Sequence, residues 1–295
     1  MSVLGIAACS GGGAPTAVAP TDAASAQAPA AAGSVHPGTA VNPDETGDIV
    51  AVTREDLAKA KPVTAAHAMV VSAQHYATQA GVDILKQGGN AVDAAVAVGY
   101  AEAVVHSCCG NIGGGGFMNI RLKDGRSLFL NFREKAPLKA TPTMFQDAQG
   151  NVVPDRSTDT YLAVGVPGTV MGFNTALKAY GTMSLKQVMA PAIKLANEGY
   201  VLRQGDIESL GPHNKAFAEH ANVAAIFLND GKPWKVGDRL VQKQLAHTLQ
   251  LIADGGTDAF YKGPIAKAVV KASDANGGIL SMKDFADYTA QWETP

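Results

Sequence analysis

A run of four glycines, Gly113 to Gly116, leads directly into a pattern of alternating apolar and polar residues. This combination limits the secondary structure that residues 113–133 can form. The alternation covers residues 118–122 and returns over residues 128–133, and the pair Asp124-Gly125 stands between the two stretches. Period-two alternation is typical of strands with one buried face, and Asp-Gly favours a tight turn. We therefore predict a β-hairpin with a two-residue turn, approached through a glycine-rich loop.

The order of elements around the glycines argues against a nucleotide site. Phosphate-binding loops join a strand to the N-terminus of a helix, whose free N–H groups hold the anion. Here a helical pattern precedes the glycines and a strand pattern follows them, with no Lys-Ser or Lys-Thr pair after the run. The glycines instead favour a sharp turn and a close approach to another backbone, since they have no Cβ.

The rest of residues 48–295 has the pattern of one compact α/β unit. A helix is predicted over residues 77–87, and a second helix, capped by Asn90 and with Asp93 in its first turn, runs to about Val105. Its alanines and valines predict a buried helix packed on a sheet. It is shorter than the ~20 apolar residues of a membrane span. Caps and turn residues predict further helices over 169–179, 185–199, 242–253, 264–273 and 283–288.

Composition excludes several classes of function. The chain has 295 residues, 46% of them hydrophobic, and a formal net charge of −2. It can bury a sizeable core, and it lacks the basic excess expected for binding nucleic acid or an anionic membrane surface. No metal-ligand spacing occurs among its histidines, so we expect neither a metal site nor a cofactor.

Cys108 and Cys109 are adjacent, a poor geometry for a mutual bond, and we expect them to be small buried residues.

The N-terminus differs from the rest of the chain. Residues 4–10 (LGIAACS) resemble the end of a bacterial lipoprotein signal, in which the cysteine, here Cys9, becomes lipidated. The apolar run is too short for an export signal, so either the start lies upstream of Met1 or the match arose by chance. Residues 11–46 are rich in Gly, Ala and Pro and predict a flexible tether. We thus divide the chain into a signal and tether over 1–47 and a globular region over 48–295, in a periplasmic, secreted or lipid-anchored protein.

Four motifs, in this order, resemble the large subunit of bacterial γ-glutamyltranspeptidases. They are residues 87–97 (QGGNAVDAAVA), 110–118 (GNIGGGGFM), 132–137 (FREKAP) and 165–170 (GVPGTV). The resemblance extends from about Ala65 to the end of the chain. It implies an α/β (α+β) fold, part of the four-layer αββα sandwich of the N-terminal nucleophile hydrolases, which would be incomplete in this chain. One departure from the family pattern is at residues 106–109 (HSCC), where many family members have a His-Pro pair.

The resemblance also implies a substrate-binding residue. In the family, an arginine of the Phe-Arg-Glu motif binds the α-carboxylate of the γ-glutamyl donor, and Arg133 is the matching position. Its guanidinium could hold a carboxylate through two parallel hydrogen bonds. The alternative is an ordinary surface arginine at the end of a strand. Glu134 should point to the opposite face of the strand and support the structure instead.

The reaction implied by the resemblance is transfer of a γ-glutamyl group from glutathione, or another γ-glutamyl amide, to water or to an amino acid or peptide. The nucleophile would be a threonine at the start of a small subunit, exposed when the precursor cleaves itself. The family's Thr-Thr-His-like segment does not occur in these residues, so no catalytic residue is assigned here. Two alternatives stay open: a related amidohydrolase (a cephalosporin acylase, an oxamate amidohydrolase or a poly-γ-glutamate-processing enzyme) and an inactive secreted protein that binds carboxylates.

Overall fold

The computed structural model describes residue 59 and residues 62–295, and the predictions for residues 1–47, including Cys9, lie outside this part. Helices and short strands alternate along it. The helices are α1 His75–Lys86, α2 Ala91–Val105, α3 Thr169–Tyr180, α4 Leu185–Glu198, α5 Gln204–Leu210, α6 Asn214–Ala218, α7 Ala221–Phe227, α8 Lys243–Tyr261, α9 Pro264–Ala275 and α10 Met282–Ala286. The strands are β1 Phe117–Arg121, β2 Ser127–Asn131, β3 Tyr200–Val201, β4 Arg239–Leu240 and β5 Gln291–Glu293.

Local capping explains where several helices begin. The Asn90 side chain accepts from the backbone of Val92 and Asp93, and the Asp93 carboxylate accepts from the Asn90 N–H, which completes a capping box on α2. Equivalent boxes begin α4, with Ser184 and Gln187, and α10, with Ser281 and Asp284. These starts were predicted from the sequence. The helix α10 differs from its prediction only in extent, since it covers Met282–Ala286 instead of residues 283–288.

The helix α2 is buried, as predicted, but its environment is different from the predicted one. It packs mainly against the helices α1, α3 and α4, and not on a sheet. Small residues on most of its surface allow helices to approach from several sides at once. The prediction of a sheet partner was therefore wrong, because small residues favour close packing against any regular element.

The hairpin forms with one change. Strands β1 and β2 pair antiparallel with Phe117 opposite Asn131 and Arg121 opposite Ser127. The Leu122 N–H donates to the carbonyl of Arg126 at 2.9 Å, which leaves a three-residue turn in place of the predicted two-residue turn. Gly125 takes the positive φ of 92° that this turn requires.

A third strand, not predicted from the sequence, completes the sheet. The order is β1-β2-β5, and β5 pairs antiparallel with β2, placing Trp292 opposite the fully buried Leu130. The sheet therefore joins two segments that are far apart in the sequence. It holds the end of β2, and with it residues 132–135, against the C-terminal segment.

The cysteine pair contradicts the prediction. Cys108 and Cys109 form a disulfide with each other, and both are exposed. They lie in a turn after α2, in which the backbone N–H groups of Cys109 and Gly110 both donate to the His106 carbonyl, at 3.1 and 2.9 Å. The turn directs this segment away from the core, so two adjacent cysteines meet at the surface.

No helix in the described residues is long and apolar enough to cross a membrane.

Candidate functional site

Four segments of the chain meet around Arg133. Phe132 and Gly116 exchange two backbone hydrogen bonds, at 3.0 and 3.3 Å, which bring the glycine run beside the end of the hairpin. Lys135 and Val166 form a similar pair, at 3.3 and 2.8 Å. Residues 284–289 contact the same segment, since the Tyr288 hydroxyl donates to the Arg133 carbonyl at 2.8 Å and Lys135 Nζ donates to the Thr289 carbonyl at 3.0 Å. Three of the four motifs identified in the sequence therefore contribute to one place.

Glycine is required at this junction by close approach. A Cβ on Gly115 would lie 2.5 Å from the carbonyl oxygen of Phe132, and a Cβ on Gly168 would lie 1.9 Å from the same oxygen. Either distance is impossible without backbone movement. Gly113 has free space around its hypothetical Cβ, so the run is not uniformly constrained. The predicted close approach of backbones is present, and the partner is the segment that carries Arg133.

Asn111 connects the glycine run to the start of α3. Its Oδ1 accepts from the Gly114 N–H at 2.8 Å and from the Thr169 hydroxyl at 2.6 Å. The N–H groups of Gly168 and Thr169 in turn donate to the Gly114 carbonyl, at 2.7 and 3.0 Å. These two N–H groups at the start of the helix are thus occupied by protein, as expected for a structural contact. The sequence analysis did not identify this role for Asn111.

Arg133 has a fixed backbone and an exposed side chain. Its N–H donates to the Asn131 side chain at 3.1 Å, and its carbonyl accepts from the Tyr288 hydroxyl at 2.8 Å. The guanidinium carbon lies 5.9 Å from the ring centroid of Phe117, which is itself half exposed. In the part of the chain that the structure describes, no carboxylate forms an ion pair with Arg133.

Tyr288 holds this junction together and was not identified from the sequence. Its ring stacks on Tyr261 with centroids 5.6 Å apart, and Lys135 Nζ lies 5.0 Å from its ring centroid. Burial, with a smaller contribution from the negative charge of Glu134, raises the pKa of Tyr288 to about 12. The hydroxyl therefore stays protonated at neutral pH and continues to donate to Arg133.

A second group of chemically active side chains lies at the turn after α2. His106 and the two cysteines place their ligand atoms within 4.8 Å of one another, although the sequence predicted no metal site. In the structure the two sulfurs are bonded to each other, so the group is a disulfide with a neighbouring imidazole. This cluster shares no residue with the junction described around Arg133.

Residues 77–295 match the model of the family described as gamma-glutamyltranspeptidase. The chain belongs to this family. A glutathione hydrolase proenzyme of Pseudomonas sp. (strain A14) is 54% identical over 235 residues, which are 79% of this chain and 41% of that protein. An acylase ACY 1 proenzyme of Pseudomonas sp. (strain SE83) is 37% identical over 80% of this chain and 43% of its own length.

The crystal structure of Helicobacter pylori gamma-glutamyltranspeptidase is similar to this one. The TM-score is 0.78 and the identity 46%, over 79% of this chain and 68% of that chain. The likeness confirms the predicted fold class, an α+β part of an N-terminal nucleophile hydrolase fold. The chain spans about two fifths of the length of the curated relatives it matches.

Proposed function

We propose that this γ-glutamyltranspeptidase-family protein is a γ-glutamyltransferase and glutathione hydrolase, and that Arg133 binds the α-carboxylate of the γ-glutamyl donor. The observation that supports this most is the state of Arg133. Its backbone is held from both sides, while its guanidinium is exposed and has no carboxylate partner among the described residues. The guanidinium is therefore accessible to an incoming carboxylate, and its planar fork can hold that carboxylate in a bidentate pair.

The remaining chemistry is proposed to come from a small subunit. A threonine at its N-terminus would attack the γ-glutamyl amide, release the amine, and form an acyl-enzyme that water, an amino acid or a peptide then resolves. The proenzyme names of the relatives support a processed precursor. Within this chain, residues 48–295 would be the large-subunit region, and Arg133 would hold the donor while the bond breaks.

The location of the protein is proposed as periplasmic or secreted. Residues 1–47 would provide a signal and a tether, with a lipid anchor at Cys9. Globomycin-sensitive processing, or incorporation of labelled palmitate that Cys9→Ser abolishes, would support the anchor. Normal export of Cys9→Ser without any lipid label on the parent protein would contradict it.

Substitution of Arg133 tests the binding role. In the full-length protein, Arg133→Ala should lower kcat/KM for γ-glutamyl-p-nitroanilide by roughly 30-fold to several thousand-fold, since loss of one partner of a charge pair that the bound donor buries costs about 2–5 kcal/mol. Arg133→Lys should also weaken donor use, because an ammonium lacks the planar fork. Self-cleavage into two subunits should be unaffected in both variants.

Two controls separate binding from structure. A donor that lacks the α-carboxylate should be used poorly by the parent enzyme and no worse by Arg133→Ala. Arg121→Ala removes another exposed arginine from the same hairpin, one whose side chain donates to the Ser127 hydroxyl at 3.0 Å, and should leave kcat/KM unchanged. Equal losses for both donors, or failure of self-cleavage in Arg133→Ala, would contradict the assignment.

A second candidate is an amidohydrolase of the acylase type, favoured by the 37% identity to the acylase proenzyme. Such an enzyme would accept acyl amides without an α-carboxylate at a rate comparable to γ-glutamyl amides. The same pair of donors therefore distinguishes the two candidates, because only the transpeptidase needs the carboxylate.

A further inference from the structure

The Cys108–Cys109 disulfide lies in an exposed turn, and both of its residues are exposed to solvent. A disulfide usually stabilises a protein by closing a long loop in the unfolded chain, and the effect grows with the number of residues enclosed. This one joins neighbouring residues and encloses none. Its contribution to stability through loop closure is therefore negligible, and a chemical role explains its presence better.

One sulfur of the pair has an imidazole beside it. His106 Nε2 lies 3.2 Å from Cys108 Sγ. The opposite ring nitrogen, Nδ1, lies 2.7 Å from a carboxylate oxygen of Glu102, one helical turn earlier. Both side chains are mostly shielded from water, with 11% and 17% of their surfaces exposed, so the carboxylate interacts strongly with the ring. Asp206 lines the same shallow pocket as His106 and adds a second acidic group nearby.

This arrangement makes the two sulfurs unequal. When His106 carries both ring protons, Nδ1 donates to Glu102 and Nε2 can donate to Cys108. A thiolate forming on Cys108 would then be stabilised by a charge-assisted hydrogen bond, whereas the Cys109 sulfur lies within 4.8 Å of His106 but forms no hydrogen bond with it among the described residues. Exchange is faster when the leaving thiolate is more stable. The Cys108 sulfur is thus the better leaving group.

We propose that Cys108–Cys109 is a redox-active disulfide that exchanges with low-molecular-weight thiols, with His106 as the group that stabilises and protonates the leaving Cys108 thiolate. An external thiolate attacks Cys109 Sγ and forms a mixed disulfide, while the bond between the cysteines breaks and its electron pair stays on Cys108. A proton passes from His106 Nε2 to Cys108. A second thiolate attacks the external sulfur, which gives a small-molecule disulfide and leaves Cys109 as the thiolate.

In the complete exchange, two small thiols are oxidised to one disulfide and the protein disulfide is reduced to a dithiol. The two electrons come from the small thiols, and no other oxidant or reductant takes part. This activity is chemically independent of γ-glutamyl transfer, because it uses none of the residues around Arg133.

The test follows reduction of the folded full-length protein by L-cysteine. Samples are quenched with acid, alkylated with iodoacetamide and mapped by tandem mass spectrometry, which distinguishes the two neighbouring cysteines. We expect reduction without unfolding, and an early mixed disulfide on Cys109 and not on Cys108. His106→Gln should slow reduction by about tenfold and distribute the adduct over both cysteines.

Two further variants keep the test decisive. Glu102→Gln, which preserves shape, should slow reduction less than His106→Gln and shift the adduct in the same direction. His247→Gln changes an exposed histidine in α8, and should leave both the rate and the adduct position unchanged. An adduct found equally on both cysteines in the parent protein, resistance of the folded protein to cysteine, or an unchanged rate in His106→Gln would overturn the proposal.

Discussion

At the scale of single residues, Asp93 connects two distant parts of the chain through one carboxylate. It is fully buried and accepts from the N–H of Asn90 at 2.8 Å, the hydroxyl of Thr182 at 2.7 Å, and the N–H of Met183 at 3.0 Å. Burial raises the pKa of Asp93, but the hydrogen bonds from these groups outweigh it, so the pKa is lowered overall from 3.8. The cap of α2 is therefore also an anchor for the loop before α4.

Asp93→Asn should destabilise the protein. The amide places an NH₂ group where the carboxylate accepts hydrogen bonds, and loss of a hydrogen bond to a charged group costs about 1.5–3 kcal/mol. The measurement is chemical unfolding at neutral pH. Asp258→Asn, which removes an exposed carboxylate paired with Lys262, should change stability much less.

The same comparison should depend on pH. Because the pKa of Asp93 is lower in the folded state, its contribution is present above pH 3.8 and is lost as the pH falls through the folded-state value. The stability difference between the parent protein and Asp93→Asn should therefore shrink in acid. A difference that stays constant down to complete protonation would show that the charge is not responsible.

At the scale of elements, the sequence patterns predicted most helices and the hairpin, because caps, periodicity and turn residues act over a few positions. The helix predicted over 242–253 forms the first part of α8. Gly256, with φ of 62°, interrupts the helical backbone there, and a second helical segment follows directly and ends at Tyr261. The short elements α5 to α7 and strands β3 to β5 were not predicted. Strands of two or three residues carry too little alternation to be recognised.

Gly168→Ala tests the packing of α3 against the hairpin. The new methyl would lie 1.9 Å from the Phe132 carbonyl oxygen and 2.1 Å from the Tyr288 hydroxyl, so the backbone must move. We expect a loss of about 1–3 kcal/mol of stability, measured by thermal or chemical unfolding. Gly113→Ala, in open space within the glycine run, should stay within about 0.5 kcal/mol of the parent. Similar losses in both variants would show that the close approach is not the cause.

At the scale of the whole molecule, buried tyrosines lie in or next to several different elements of the fold. Tyr100 is in α2, Tyr200 is in β3, Tyr261 ends α8, and Tyr288 follows α10. Burial raises the pKa of all four above the usual value of 10.0. The folded protein therefore binds these protons more tightly than the unfolded chain does.

The protein should consequently unfold in alkali. The stabilising contribution of these tyrosines is complete below pH 10.0 and is lost as the pH rises through their folded-state pKa values. Phenolate absorbance and circular dichroism, recorded together during a pH titration, should show these four side chains ionising together with the loss of helix signal. Complete ionisation of all tyrosines while the helix signal persists would contradict their burial.

The sequence by itself determined the family, the hairpin, the capped helices and the need for glycine beside another backbone, since each depends on a motif or on a pattern within a few residues. The tertiary structure decided the rest. It placed Tyr288 on the carbonyl of Arg133 across 155 residues of sequence and added β5 to the hairpin. Contacts at such separations depend on how whole elements pack, and no local pattern records which side chain will meet which backbone group.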